Sequence, residues 1–116
     1  MKKIFILDDN ELLIEQFVYI FDDYQIIPSA SIHEAEQILN SSENFNLIIL
    51  DESLPDGNGS SLIPYIRTKY PDINIIILTG YTFNDIPAVK DDKKVIVQSK
   101  NFKVDEFINT VHKLIA

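Results

Sequence analysis

The sequence predicts an α/β domain in which a five-stranded parallel sheet carries helices on both faces, a doubly wound (βα)5 arrangement. Three observations lead there. Short runs of β-forming residues recur along the chain, with segments of helical periodicity between them. The central run, Leu47 to Leu50, is continuously apolar and bounded by turn signals, as suits a strand buried on both faces. The runs also end in polar residues, at the edge where open α/β sheets place their functional crevice.

The elements follow in chain order. Lys3 to Leu7 (KIFIL) forms the first strand and stops at Asp8-Asp9. Asn10 offers an N-cap, and Leu12, Leu13, Gln16, Phe17 and Ile20 trace a helical stripe to Asp22. Tyr24 to Pro28 is a second strand, placed at an edge because a proline is tolerated there. Ser31 with Glu34 three residues on fits a capping box, opening a helix with Ile32, Ala35, Ile38 and Leu39 on one face. That helix ends in Asn40-Ser41-Ser42.

The third strand, Leu47 to Asp51, runs into a loop containing Pro55, Gly57 and Gly59. Ser60 or Ser61 is the expected cap of the next helix, whose stripe is Leu62, Ile63, Tyr65, Ile66 and Tyr70, stopped by Pro71. Pro64 costs little within the first turn, where N–H groups have no intrahelical partner. Ile73 to Leu78 is the fourth strand, ending at Thr79-Gly80, and Val95 to Val97 is the fifth, ending at Gln98-Ser99-Lys100. Between them Pro87 and weak periodicity allow a short helix near Ile86 to Lys90. The last helix runs from Val104 to Ile115 with Phe107, Ile108, Val111, Leu114 and Ile115 on one face.

Composition narrows the function. With 116 residues, 46% of them hydrophobic, the chain suits one domain with a real core. It has no cysteine, which excludes disulfides and thiolate metal sites. No apolar run approaches the ~20 residues needed to span a bilayer. The basic start, Met1-Lys2-Lys3, leads into Asp8-Asp9 without a cleavage site, so the expected location is cytoplasmic. A formal net charge of −8 disfavours nucleic acid and anionic membranes as direct partners and favours a divalent cation.

Asp8-Asp9, Asp51, Thr79 and Lys100 all fall at strand C-termini. Taken singly, each has an ordinary reading: the DD pair as a helix-start signal, Asp51 as a turn starter, Thr79-Gly80 as a strand exit, Lys100 as a surface lysine. Their shared position is what those readings leave unexplained. Two carboxylates ~5 Å apart repel by roughly 3 kcal/mol at an effective dielectric near 20, so such a cluster calls for a cation. Mg2+ suits it, because it takes oxygen ligands and keeps places for waters and a phosphate oxygen. Asp51 is then a nucleophile able to form an acyl phosphate, with Lys100 and Thr79 to receive phosphoryl oxygens.

Taken together, the Asp8-Asp9 pair, the D-x-x-L-P-x-x-x-G run from Asp51 to Gly59, Thr79-Gly80, and Lys100 followed by Phe102 resemble the response-regulator receiver domain of two-component signalling. The resemblance spans essentially the whole chain, read as a single receiver domain over 1–116 with no effector domain present. It implies a flavodoxin-like fold with strand order 2-1-3-4-5. It also implies phosphorylation of Asp51 by the phosphohistidine of a sensor histidine kinase or histidine phosphotransfer protein. Asp8, Asp9, Asp51 and the Ser53 carbonyl would hold Mg2+, and Thr79 and Lys100 would bind the phosphoryl group. The output would be altered binding of a downstream protein by a monomer or weak dimer, with self-catalysed phosphorylation and dephosphorylation rather than enzymatic turnover. Glu52 matches no family role, and His33 and His112 are expected to be solvated.

The departures from the pattern lie in the switch. Val97 stands where an aromatic residue is usual, and Asn101 follows the lysine where the family has a cis proline. A cis bond before a non-proline residue costs ~2.5–4 kcal/mol, which favours trans. Tyr81 or Phe83 is a candidate for the missing aromatic role, and Ser53 and Tyr81 occupy positions that tune hydrolysis in the family. Bulky Tyr81 is expected to slow water attack; an unchanged phosphoryl half-life in Tyr81→Ala would contradict this. A phosphorylation-independent adaptor is the main alternative. A haloacid-dehalogenase-type phosphohydrolase would need a second acid where Ser53 stands, and acidic strand ends disfavour a flavin phosphate.

Overall fold

In a computed structural model of the protein, the structure describes residues 1–41, 43–80 and 91–115. Five strands, β1 (Lys3–Leu7), β2 (Gln25–Ser29), β3 (Leu47–Asp51), β4 (Asn74–Thr79) and β5 (Val95–Ser99), form a single parallel sheet in the order β2-β1-β3-β4-β5. The helices are α1 (Glu11–Ile20), α2 (Ile32–Leu39), α3 (Ile63–Lys69) and α4 (Val104–Ile115). A 3₁₀ turn, Gly59–Leu62, leads into α3. The expected short helix at Ile86 to Lys90, with Tyr81, Phe83 and Pro87, lies outside the described residues.

Period-two alternation sends each strand's apolar side chains to opposite faces. Phe5, Leu7, Ile48, Leu50, Ile75 and Ile77 join the layer that includes α2 and α3 residues. Ile4, Ile6, Leu47, Ile49, Ile76 and Leu78 join the layer that includes Phe17, Phe107 and Val111. Four consecutive apolar residues are fully buried on each of β1 (Ile4 to Leu7), β3 (Leu47 to Leu50) and β4 (Ile75 to Leu78). At about 1.5–3 kcal/mol for each such side chain, these three central strands are the apolar anchor of the sheet.

Register aligns the strand exits: Leu7 pairs with Leu50, Asp51 with Leu78, and Thr79 with Ser99. The residues following β1, β3, β4 and β5 therefore open onto one edge. β1 and β3 have the expected limits, β2 and β4 lie one residue further along, and β5 extends two residues to Ser99 because its ladder with β4 continues to Thr79. Pro28 sits on the edge strand opposite Ile6, where its lack of an N–H leaves no gap in a second ladder.

Two helix expectations are corrected. The buried side of α1 is Leu13, Ile14, Phe17 and Ile20, while Leu12 is 63% exposed and Gln16 faces solvent. The two stripes share three residues and differ by a modest rotation. The rotation is set by Phe17 nesting against Phe21 and Phe107 at 5.7 and 5.5 Å between ring centroids. At α3, neither Ser60 nor Ser61 is the cap residue: both lie inside the 3₁₀ turn, whose cap position, Asn58, makes no side-chain capping bond. Ser61 Oγ donates back to the Asn58 carbonyl, and the capping acceptor comes from Glu52, eight residues upstream of Ser60.

Candidate functional site

Asp8 leaves β1 and is 2% exposed. Its Oδ1 accepts the Asn10 N–H at 2.9 Å, while Asn10 Oδ1 caps α1 by accepting from Leu12 and Leu13. The short turn that starts α1 thereby fixes the Asp8 carboxylate. Asp51, the last residue of β3, is also 2% exposed, and its Oδ1 accepts the Ser53 N–H at 3.2 Å. Thr79 closes β4 and is buried. Its carbonyl accepts the Lys100 N–H at 2.8 Å, tying the β5 exit to the β4 exit.

Lys100 reaches back across that edge. Its Nζ lies 3.1 Å from Asp51 Oδ1 and 3.4 Å from Asp8 Oδ2. Asp9 is exposed beside them, and one carboxylate oxygen each from Asp8, Asp9 and Asp51 fall within 4.8 Å of one another. Asp8 Oδ2 is fully buried and makes no hydrogen bond; the Lys100 contact at 3.4 Å is an ion pair without hydrogen-bond geometry.

The electrostatics follow from burial and charge. Desolvation is the largest influence on Asp8 and pushes its pKa up; the Asp51 charge adds to this, against the Asn10 amide and Lys100. For Lys100, burial works against the charged form. The hydrogen bond to Asp51 and the charges of Asp8 and Asp51 outweigh it, so its pKa is raised and the ammonium persists. Among the described residues, three carboxylates thus face one ammonium. Glu11, Glu15 and Glu34 line the adjoining cleft and deepen the negative potential.

An all-oxygen donor set of this kind, with a buried carboxylate oxygen left without a hydrogen bond, fits a hard divalent cation of the Mg2+ type. The loop after Asp51 is shaped for close approach. A Cβ on Gly59 would lie 2.1 Å from the Asp51 carbonyl oxygen, so only glycine fits there. Gly57 has φ +145°, and it exchanges backbone hydrogen bonds with Leu54 at 3.0 and 3.3 Å.

All five residues singled out for phosphoryl chemistry and metal binding, Asp8, Asp9, Asp51, Thr79 and Lys100, stand at the same sheet edge, with Ser53 in the adjoining loop. Tyr81 lies outside the described residues. Val97 is half-buried against the α2–α3 side of the sheet. The bond joining Lys100 to Asn101 is trans, as no described peptide bond is cis. Phe102 stacks on Phe107 at 4.3 Å and 13°. His33 is exposed as expected. His112 is exposed too, but it is not simply solvated: its Nδ1 shares a hydrogen bond with Tyr24 Oη at 2.5 Å.

Asp56 escaped the sequence reading, and Glu52, which matches no family role, has a structural one. Asp56 Oδ1 accepts the Ile32 N–H at 3.0 Å and Oδ2 the His33 N–H at 3.1 Å, which together hold its pKa down. The start of α2 is thus capped twice, by Asp56 and by Ser31 Oγ accepting from Glu34 at 3.1 Å. Glu52 accepts from Ser60 N and Ser60 Oγ, each at 2.8 Å. Both partnerships link residues distant in sequence, and no local spacing signals them.

Comparison with known proteins agrees with this geometry. The family model for the response regulator receiver domain matches residues 4–112. YhcZ of Bacillus subtilis, an uncharacterised transcriptional regulatory protein, is 29% identical over 93% of this chain, which spans 52% of YhcZ's length. The response regulator TrrA of Thermotoga maritima, crystallised in complex with Mg2+ and BeF, is 31% identical at a TM-score of 0.80, covering 98% of this chain and 99% of that one. The non-phosphorylated HemR receiver domain of Leptospira biflexa is 28% identical at a TM-score of 0.84, covering 100% and 95%. Among the described residues, no helix is long and apolar enough to cross a membrane.

Proposed function

Because the chain belongs to the response regulator receiver domains of two-component signalling, we propose that Asp51 is its phosphorylation site and that the phosphoryl group comes from a phosphohistidine on a kinase or phosphotransfer protein. The observation that carries this is the Lys100 ammonium between Asp51 and the buried Asp8, at 3.1 and 3.4 Å. An Asp51 carboxylate oxygen attacks phosphorus; the new P–O bond forms as the P–N bond breaks, and the donor imidazole leaves with the electron pair. Lys100 follows the phosphoryl oxygens and offsets their charge, and Thr79 Oγ donates to one of them. Asp8, Asp9, Asp51 and the Ser53 carbonyl are the residues that would hold Mg2+, which when bound supplies Lewis-acid neutralisation of the phosphoryl charge. Water attack on the same phosphorus breaks its bond to the Asp51 oxygen, frees the carboxylate and releases inorganic phosphate, so the chain assists both steps without being a turnover enzyme.

The output in this reading is altered binding of a downstream protein by a cytoplasmic monomer or weak dimer. The acidic surface does not suit these residues to direct contact with nucleic acid or membrane. A second reading, a phosphorylation-independent adaptor, is favoured by one feature: β5 carries Val97 where an aromatic switch residue is usual. Incubation with Mg2+ and acetyl phosphate followed by intact mass separates them. A single phosphoryl adduct, absent in Asp51→Asn, is expected. No adduct from any donor would overturn the proposal in favour of the adaptor, and steady phosphate release from many esters would point to a hydrolase.

A further inference from the structure

Glu52 follows the phosphorylation site directly, yet its carboxylate turns away from it. Its N–H donates to the Leu78 carbonyl at 2.9 Å, its carbonyl accepts from Gly59 N at 3.2 Å, and its two side-chain oxygens are both taken by Ser60. Every polar group of the residue is therefore committed, to β4 on one side and to the 3₁₀ turn on the other. That turn lacks a capping side chain at Asn58, so the Ser60 N–H is one of the orphan donors a helix start must satisfy. A carboxylate is also the favoured charge at that position.

Ser53 is held between this clamp and the Leu54–Gly57 pair, with its own N–H on Asp51 Oδ1. Little backbone freedom is left to it, and its carbonyl direction is inherited from its neighbours. We propose that Glu52 is a positioning residue for the cation site: through Ser60 it fixes the loop that aims the Ser53 carbonyl, without touching the ion itself. The proposal rests on the metal-site reading above. Consistent with a role outside the ligand set, the carboxylates that converge within 4.8 Å are Asp8, Asp9 and Asp51. Partners that orient a ligand commonly change metal affinity by ten- to a hundredfold.

Two substitutions separate position from charge. In Glu52→Gln the amide oxygen still accepts from Ser60 N and the NH2 donates to Ser60 Oγ, so the clamp survives without its charge. In Glu52→Ala it is lost. Calorimetric titration with Mg2+ is expected to give a Kd within about twofold of wild type for Glu52→Gln and roughly tenfold weaker for Glu52→Ala. Amide exchange at Gly59 and Ser60 should accelerate in Glu52→Ala alone. Ser60→Ala keeps the backbone bond and should weaken binding about threefold, a milder test should Glu52→Ala fail to fold. Equal affinity in Glu52→Ala and wild type overturns the proposal, as does Glu52→Gln binding as weakly as Glu52→Ala, which would make charge the cause. A wild-type chain that takes up no Mg2+ overturns the metal-site reading itself.

Discussion

Lys100 Nζ stands 3.1 Å from Asp51 Oδ1, although Lys100 follows β5 and Asp51 ends β3, with β4 lying between the two strands. The lysine bridges that gap because its own N–H is anchored on the Thr79 carbonyl. Lys100→Ala leaves Asp8 and Asp51, each 2% exposed, without their cation. The expected cost without metal is about 1–3 kcal/mol, below the usual range for breaking a buried pair because Lys100 is partly solvated. Urea denaturation with and without Mg2+ checks it: the ion should stabilise the variant more than wild type.

Asp9 is the exposed member of the cluster, so its substitution separates folding from metal binding. Asp9→Asn should leave metal-free stability within about 0.5 kcal/mol of wild type. The rise in Tm on adding Mg2+ should largely disappear, because ligand stabilisation follows affinity. Thermal unfolding at several Mg2+ concentrations measures both. A full Mg2+-dependent rise in Asp9→Asn would remove this residue from the ligand set.

Arg67 grips Asp92 in a two-pronged pair, Nε to Oδ2 at 2.6 Å and a terminal nitrogen to Oδ1 at 3.1 Å, just before β5. The Arg67 side-chain hydrogen bond, with smaller help from the Lys94 N–H and the Arg67 charge, holds the Asp92 pKa below its ordinary 3.8. A depressed carboxylate pKa stabilises the fold above the unfolded value and loses that stabilisation as pH falls through the folded one. Asp92→Asn should therefore cost about 1–2 kcal/mol at neutral pH. The gap to wild type should narrow as pH drops below 3.8. Denaturation midpoints across that window give the answer, and a pH-independent gap would contradict it.

Gly59 owes its identity to proximity. A methyl group there would lie 2.1 Å from the Asp51 carbonyl oxygen and 3.2 Å from Leu50 Cβ. Gly59→Ala must move backbone, so a loss of about 1–3 kcal/mol is expected, together with weaker Mg2+ binding because the shift falls on Asp51 itself. Calorimetry and denaturation on the same preparation test the pair of effects.

Much of this was legible in the chain. The continuous apolar run at Leu47 to Leu50 and the strand-end positions of Asp8, Asp51, Thr79 and Lys100 are local facts, and parallel strands of near-equal length bring such ends to one edge. The capping residues Asn10 and Ser31 were legible for the same reason, since their partners lie within three residues. Leu12 misled because helical spacing admits two stripes a modest rotation apart, and the packing of Phe17 on Phe107 selects between them.

The sequence by itself determined the layered α/β architecture and the chemistry gathered at its strand ends, because both rest on periodicity and on residues beside their own strands. Tertiary structure decided how that chemistry is held in place. Glu52 on Ser60, Asp56 on the start of α2, Arg67 on Asp92 and Tyr24 on His112 join residues from eight to 88 positions apart. Such partners are brought together by the tertiary fold, and a carboxylate in a loop carries no local sign of which distant N–H it will satisfy.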